Sequence, residues 1–488
     1  MTWIPNDLSP ERGVFCHRTL NLRSIRAIGY DMDYTLIHYH VDAWEGSAFE
    51  HLKQGLLAKG WPVEDVTFEP ELVTRGLVID SDLGNLIKVN RFGYIKQAAH
   101  GRTFYNYDEL RRTYRRTLVD LGESRYQFLN TLFSISEACM YMQLVELLDE
   151  HKLPGVMNYA DLAKVVRQTL DLAHMEGELK REIIADPGRF VDLDPNIPRT
   201  LLDQKEAGKR LVLITNSGWN YTKAMMAYAF NPYLPDGLTW HDLFEIVVVS
   251  ARKPAFFSET APLFRIINEE GELRPCLGGP TEPGLYLGGH AGLIEEYLEL
   301  NGDRILYVGD HVFSDVRVSK SVQRWRTALV IRELEEEILA LQKARELQDK
   351  IGQLMHRKET LEYRQSQARL ALLRKEKGHD LEGLAEPTQP LEEEIEGINQ
   401  TIREIDEEVG GLVVQDGVQF NRYWGYLTWA GNDTSHLMDQ ISKSADIYTS
   451  RVSNLLPYTP FAYYRSPRGS SPHELSSIFK MPPASECE

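Results

Sequence analysis

Four short apolar runs constrain this chain more than any other feature, because each ends in a polar cluster of its own kind. Ile25–Tyr30 leads into Asp31-Met32-Asp33-Tyr34-Thr35-Leu36, and Arg210–Ile214 leads into Thr215-Asn216-Ser217. Ile246–Val249 precedes Arg252-Lys253-Pro254, and Ile305–Val308 precedes Gly309-Asp310-His311-Val312-Phe313-Ser314-Asp315. Such runs suit strands buried on both faces of a sheet. Helical patterns alternate with them, at Tyr221–Phe230 and Leu293–Leu300, which predicts a doubly wound, mostly parallel α/β core. Open sheets of this kind bind ligands beyond the C-terminal ends of their strands, so the four clusters are expected to meet.

Each cluster alone has a plain structural reading: an acidic turn, a helix cap or a solvated lysine. Together they form a phosphoryl-transfer set. Asp31 can attack phosphorus while Asp33 handles the leaving group's proton. The hydroxyls and backbone N–H groups of Thr215-Asn216-Ser217 form an anion nest. Lys253 can neutralise a carboxylate nucleophile and developing phosphoryl charge. Asp310 and Asp315 are hard-oxygen ligands suited to Mg²⁺. Two like charges 4 Å apart repel by roughly 4 kcal/mol at an effective dielectric of 20. A cleft holding Asp31, Asp33, Asp310, Asp315 and a phosphate therefore needs Lys253 and a divalent cation.

At 488 residues the chain exceeds what one core usually supports. Its net charge of −18 disfavours nucleic acid and anionic membranes as partners. Cys16, Cys139, Cys276 and Cys487 are widely spaced, with no zinc-like or disulfide-scaffold pattern. No apolar leader or membrane-length run is present, and a cytoplasmic location is expected. The core is assigned to 1–40 and 200–332. Residues 41–199 are read as an inserted α+β cap, with a β-meander at Gly76–Asp80, Leu86–Asn90 and Tyr94–Ala99 and a largely helical Asp108–Asp186. Residues 333–408 carry 20 acids and 11 bases around a helical stripe with a break at Gly378–Pro390. They predict an antiparallel, coiled-coil-like hairpin suited to oligomerisation. The remainder, 409–488, is read as a helical segment with a loosely ordered tail from Ser466.

The four clusters resemble the motifs of the haloacid dehalogenase-like superfamily. Asp31–Leu36, Arg75-Gly76-Leu77-Val78, Gly84-Asn85-Leu86, Lys88, Ala99-His100-Gly101, Ala251–Pro254, Trp325-Arg326-Thr327 and Ala445-Asp446-Ile447-Tyr448 further resemble the cytosolic purine 5′-nucleotidase family, over about residues 20 to 475. The resemblance implies Asp31 as nucleophile and Asp33 as general acid and then base. It implies phosphate binding by Thr215, Asn216, Ser217 and Lys253. Mg²⁺ would be held by Asp31, the Asp33 carbonyl and Asp310, with Asp315 assisting. Arg75, Asp80 and Lys88 would lie near the purine, where cations can donate to O6 and N7 and a carboxylate can accept from N1–H.

The expected activity is Mg²⁺-dependent hydrolysis of purine nucleoside monophosphates such as IMP or GMP through an aspartyl-phosphate, with phosphotransfer as a side activity and a homo-dimer or tetramer as the assembly. The alternatives are a phosphatase of another small phosphomonoester, or a non-catalytic scaffold working through the hairpin.

Overall fold

The computed structural model describes residues 8–175, 177–379 and 389–467. Residues 380–388 of the expected hairpin break, the tail beyond 467 and Cys487 lie outside the described residues.

The four apolar runs form strands β1 (Ala27–Tyr30), β2 (Arg210–Ile214), β3 (Ile246–Val249) and β4 (Ile305–Gly309). They lie parallel in the order β4–β1–β2–β3 at the centre of a ten-stranded sheet. Arg326–Val330 and Ile447–Thr449 extend it in parallel on one side, and Gly284–Gly288 does so on the other. Antiparallel strands close both edges: Val14–Cys16 at one, Leu263–Ile266 with Leu273–Cys276 at the other. Alternate residues serve opposite faces. Ile28, Tyr30, Leu211, Leu213 and Val308 enter one core, while Ala27, Val212, Ile214, Val248 and Tyr307 enter the other. The doubly wound, mostly parallel α/β core expected from the sequence is borne out.

Between β1 and β2 the chain builds a second, antiparallel sheet in the order Thr103–Phe104, Ile95–His100, Asn85–Val89, Val78–Asp80, Tyr126–Phe128. Helices α1 (Val41–Ala58), α2 (Tyr107–Tyr114), α3 (Ile135–Asp149), α4 (Tyr159–Met175) and α5 (Glu178–Ala185) are among those that accompany it. Tyr126–Phe128 lies within the stretch read as helical; three residues are too few for alternation to show, and a distant partner, Val78–Asp80, fixes them as a strand.

Helices α6 (Leu334–Glu376) and α7 (Gln389–Gly417) form a long antiparallel arm. Ala344, Ala368, Ile398 and Ile405 are buried along it, and Lys350–Glu408 and Arg364–Glu394 pair across it at 2.7 and 2.8 Å. α7 runs on to Gly417, and the segment after it does more than form a helix, His436–Ser444: it supplies the core strand Ile447–Thr449. Buried Asp446 ties this segment down. It accepts from Arg18, Arg326 and Lys320 at 2.9, 2.9 and 2.5 Å. Burial alone would raise its carboxyl, but these cations hold it down at about 2. Among the described residues no helix is long and apolar enough to cross a membrane.

One buried carboxylate in the cap works against the fold. Glu45 of α1 is fully buried and accepts from the Ser136 N–H at 2.9 Å, while its other oxygen has no partner among the described residues. Burial pushes it up to about 7, against 4.5 for the exposed group. Folding is therefore favoured most by this group below pH 4.5, and that advantage is lost as pH rises towards about 7. At about 1.4 kcal/mol per pH unit the penalty above pH 7 is on the order of 3 kcal/mol. Glu45→Gln is expected to raise the melting temperature at pH 8 and leave it little changed at pH 4.5. Equal shifts at both pH values in thermal denaturation would contradict this.

Candidate active site

Backbone hydrogen bonds hold the strand tips in register. The Asp31 N–H donates to Val308 O, and the Thr215 N–H to Val248 O, both at 2.9 Å; Ala251 N–H donates to Thr215 O at 3.0 Å. Asp31, Thr215, Lys253, Asp310 and Asp315 are thereby gathered, all buried.

Lys253 lies at the centre. Its Nζ is 2.7 Å from Asp31 Oδ1, 2.7 Å from Asp315 Oδ1 and 3.2 Å from the Tyr307 hydroxyl. Burial works against its ammonium, but Asp31 and Asp315 outweigh that and hold it well above the ordinary lysine value. Burial raises Asp31 well above the usual carboxylate range; Lys253 opposes the rise, and Asp315 and Asp310 add to it. Gly309 is required at the tip of β4, because a Cβ there would come within 2.5 Å of the Asp315 side chain. Gly29 of β1 likewise makes room for the Tyr307 ring, which a Cβ would meet at 2.8 Å.

Asp33 stands on the other side, less buried, with both oxygens fixed by hydroxyls. Tyr39 donates to Oδ1 at 2.5 Å and Ser217 to Oδ2 at 2.7 Å. Behind them, the Tyr221 hydroxyl donates to Tyr39 at 3.0 Å, and Lys180 Nζ to Ser217 Oγ at 3.2 Å. Lys180 sits on cap helix α5, and Tyr39 just precedes α1; neither has a local motif that marks it. Asn216, expected at phosphate, instead clamps the Lys253 backbone: its Oδ1 accepts from Lys253 N–H at 2.6 Å and its Nδ2 donates to Lys253 O at 3.2 Å. Thr215 Oγ1 accepts from the Ser217 N–H at 3.0 Å, closing the turn.

The residues present fit a divalent cation. Carboxylate oxygens of Asp31, Asp310 and Asp315 lie within 4.8 Å of one another. Asp310 Oδ2 is buried and has no hydrogen-bond partner among the described residues. Burial and Asp315 push the Asp310 carboxyl up to about 7. Three hard-oxygen donors, one of them orphaned and two sharing the Lys253 ammonium, match the preference of Mg²⁺. His311 is held as a neutral acceptor, pushed down to about 4 by burial, with its Nδ1 receiving the Phe313 and Ser314 N–H groups.

Arg75, Asp80 and Lys88, expected around a purine, have their polar groups engaged by protein partners in this structure. Arg75 donates to the Asp310 carbonyl and, at 2.8 Å, to Asn130 O, and lies 3.5 Å from Glu333. Asp80 accepts from Arg125 at 2.6 and 2.7 Å and from Tyr114 at 2.8 Å. Lys88 donates to the carbonyls of Trp424 and Tyr426, and burial pushes it down to about 7, with Glu337 opposing. The physical reason is shared: each polar group is buried within the cap or at its seam and already has protein partners. Arg75 does line a cavity of about 510 Å³ with Tyr39, Arg332, Glu333 and Phe420. A second cleft of about 680 Å³ adjoins the nest, lined by Lys180, Arg181, Asn216, Trp219 and Tyr221.

A family model described as the 5′ nucleotidase family matches residues 14–476. A protein of Dictyostelium discoideum, named a 5′-nucleotidase domain-containing protein, is 25% identical over 94% of this chain and 74% of its own. Among solved structures, a haloacid dehalogenase-like hydrolase of Xanthomonas campestris aligns with 63% of this chain and 82% of its own, at 13% identity and a TM-score of 0.25. An archaeal β-phosphoglucomutase of Pyrococcus sp. aligns with 63% of this chain and 86% of its own, at 12% identity and a TM-score of 0.30. Likeness that low says nothing of activity. The family match runs over nearly the whole length, and on it this chain belongs to the 5′-nucleotidase family and is a phosphoric monoester hydrolase.

Proposed function

We propose that the enzyme hydrolyses purine 5′-nucleoside monophosphates of the IMP or GMP type in a Mg²⁺-dependent reaction through an aspartyl-phosphate. The observation that carries this is the pairing of Asp31, held by Lys253, with Asp33, held by two hydroxyls, beside a cleft lined by Lys180, Arg181, Trp219 and Tyr221. Cations beside the nest suit a phosphate, and aromatic rings suit a base.

Asp31 attacks phosphorus, forming the P–O bond to its carboxylate as the bond to O5′ breaks, and Asp33 protonates the departing O5′. Asp33 then takes a proton from the water that cleaves the aspartyl-phosphate, returning Asp31. Lys253 offsets charge on Asp31 and on the phosphoryl oxygens throughout. Asp31, Asp310 and Asp315 would hold Mg²⁺, which supplies charge neutralisation and polarisation of the phosphoryl group when bound. A nucleoside hydroxyl replacing water would give phosphotransfer. The unpaired Cys16, Cys139 and Cys276 favour a reducing cytoplasm.

Phosphate release from a panel of nucleoside and sugar monophosphates, with and without Mg²⁺, tests the reading. Purine monophosphates are expected to lead and EDTA to stop the reaction; preference for a sugar phosphate would replace the substrate assignment. Asp31→Asn should lose turnover while melting close to wild type, and phosphate release at the wild-type rate would sink the covalent mechanism. Lys180→Ala should raise KM about tenfold or more, as loss of a charge-assisted hydrogen bond worth roughly 1.5–3 kcal/mol implies. An unchanged KM would remove Lys180 from the substrate cleft.

A further inference from the structure

Two features lie outside the catalytic cluster and carry opposite charge. On the cap, a groove of about 710 Å³ runs between the start of Ile95–His100 and α2, lined by Lys96, Arg111, Arg115, Arg116, Tyr94 and Tyr107. The stretch 91–116 holds seven bases and two acids in a chain whose net charge is −18. The side chains of Lys96, Arg111, Arg115 and Arg116 are exposed and make no ion pair or hydrogen bond among the described residues. Tyr94 and Tyr107 are 53% and 71% exposed. Unpaired guanidinium groups beside bare aromatic rings form a surface suited to carboxylates on a rigid support.

The arm offers such a support. Between 389 and 417 it holds nine acids and one base, Arg403. With Ile398, Ile402 and Ile405 turned to α6, helical spacing puts Glu393, Glu396, Gln400, Glu404 and Glu407 on the opposite face, and all five are exposed. This stripe is about 21 Å long at 1.5 Å per residue. Gln348, near the root, also reaches Tyr426 of the body, but between 349 and 408 every side-chain hydrogen bond and ion pair among the described residues joins α6 to α7 or stays within one helix. The 28 residues of α6 beyond Gln348 thus extend for about 42 Å with no side-chain hydrogen bond or ion pair to the body of their own molecule among the described residues.

We propose that two copies of this chain exchange arms, the acidic outer stripe of α7 from each copy seating in the basic, aromatic groove on the cap of the other. Reciprocal exchange closes the assembly as a two-fold dimer, because each copy contributes one arm and one groove. Whole-molecule repulsion between two −18 chains is screened beyond a Debye length of about 8 Å at physiological salt, whereas carboxylate–guanidinium contacts act well inside that distance. The proposal is independent of the substrate assignment.

Sedimentation of the full chain tests it, with two charge-reversed variants. One is Arg111→Glu/Arg115→Glu/Arg116→Glu on the cap, and the other Glu396→Lys/Glu404→Lys/Glu407→Lys on the arm. The wild-type chain is expected at twice its mass of 56.0 kDa and each variant alone at 56.0 kDa. An equimolar mixture of the variants should return to the doubled mass, since the reversed arm of one then meets the reversed groove of the other, while the unchanged arm meets the unchanged groove. Unchanged melting temperatures show that the variants fold. The proposal is overturned by a monomeric wild type, by variants that stay dimeric, or by a mixture that fails to pair. A monomeric wild type whose tripolyphosphate binding is lost in the cap variant would make the groove a small-anion site instead.

Discussion

The ammonium of Lys253 is the contact on which the rest of the site depends, and all four central strands serve to place it. It bridges Asp31 at the tip of β1 and Asp315 beyond β4, each at 2.7 Å. Its backbone is gripped on both sides by the Asn216 amide beyond β2. Tyr307 of β4 adds its hydroxyl at 3.2 Å and is itself anchored by donating to Ile214 O at 3.1 Å. Gly29 and Gly309 let Tyr307 and Asp315 come close enough. Removing one partner of a buried pair typically costs about 3–5 kcal/mol, because a charge is left stranded. Here Lys253 faces two carboxylates directly, and Asp310, which lies nearer in effect to Arg75, adds a third, so the cluster keeps a negative excess that a divalent ion would offset.

The parts of the site that were legible in the sequence are those carried by contiguous residues. Apolar runs ending in Asp31, Thr215, Lys253 and Asp310 could be read because parallel-strand burial leaves a continuous apolar signature and the polar tip follows at once. The four strands form where that signature lies, and their tips converge. What escaped notice is non-local. Tyr39 and Lys180 gain their place only when the cap folds back over the core, with a separation of 182 residues from Tyr39 to its partner Tyr221 and of 37 from Lys180 to Ser217. Ile447–Thr449 is too short to read as a strand until Arg326–Val330 lies beside it. Arg75, Asp80 and Lys88 show the converse: their charged ends read as available in the sequence, while burial gives each of them protein partners that no local pattern reveals.

Those partners show how the cap, the arm and the catalytic loop share one seam. Arg75 leaves the cap, holds the carbonyls of Asp310 and Asn130, and meets Glu333 one residue before α6 begins. Along the first turn of α6, Glu335 pairs with Arg12 and Arg451, and Glu337 accepts from the Thr428 N–H at 3.0 Å. The root of the arm is thus set by charged and hydrogen-bonded contacts, while its outer length is held by a narrow apolar seam. Polar contacts of this kind are directional, so they fix the angle at which the arm leaves the body more tightly than apolar packing would.

This seam also bears on where a base can be read. A guanidinium buried to the extent of Arg75, with its side chain 1% exposed, needs its acceptors and a counter-charge. Turning it towards a purine would release the Asp310 carbonyl and strand Glu333, whose oxygens have no hydrogen-bond partner among the described residues. The cleft beside the nest carries no such penalty. Lys180 there already reaches Ser217, Arg181 and Trp219 line the space without a hydrogen bond to the catalytic residues among the described residues, and Tyr221 supports Asp33 only through Tyr39. In the proposed reaction, recognition of the nucleoside therefore falls to the cap helix α5 and the start of the helix after β2, which leaves Arg75 to keep Asp310 in position.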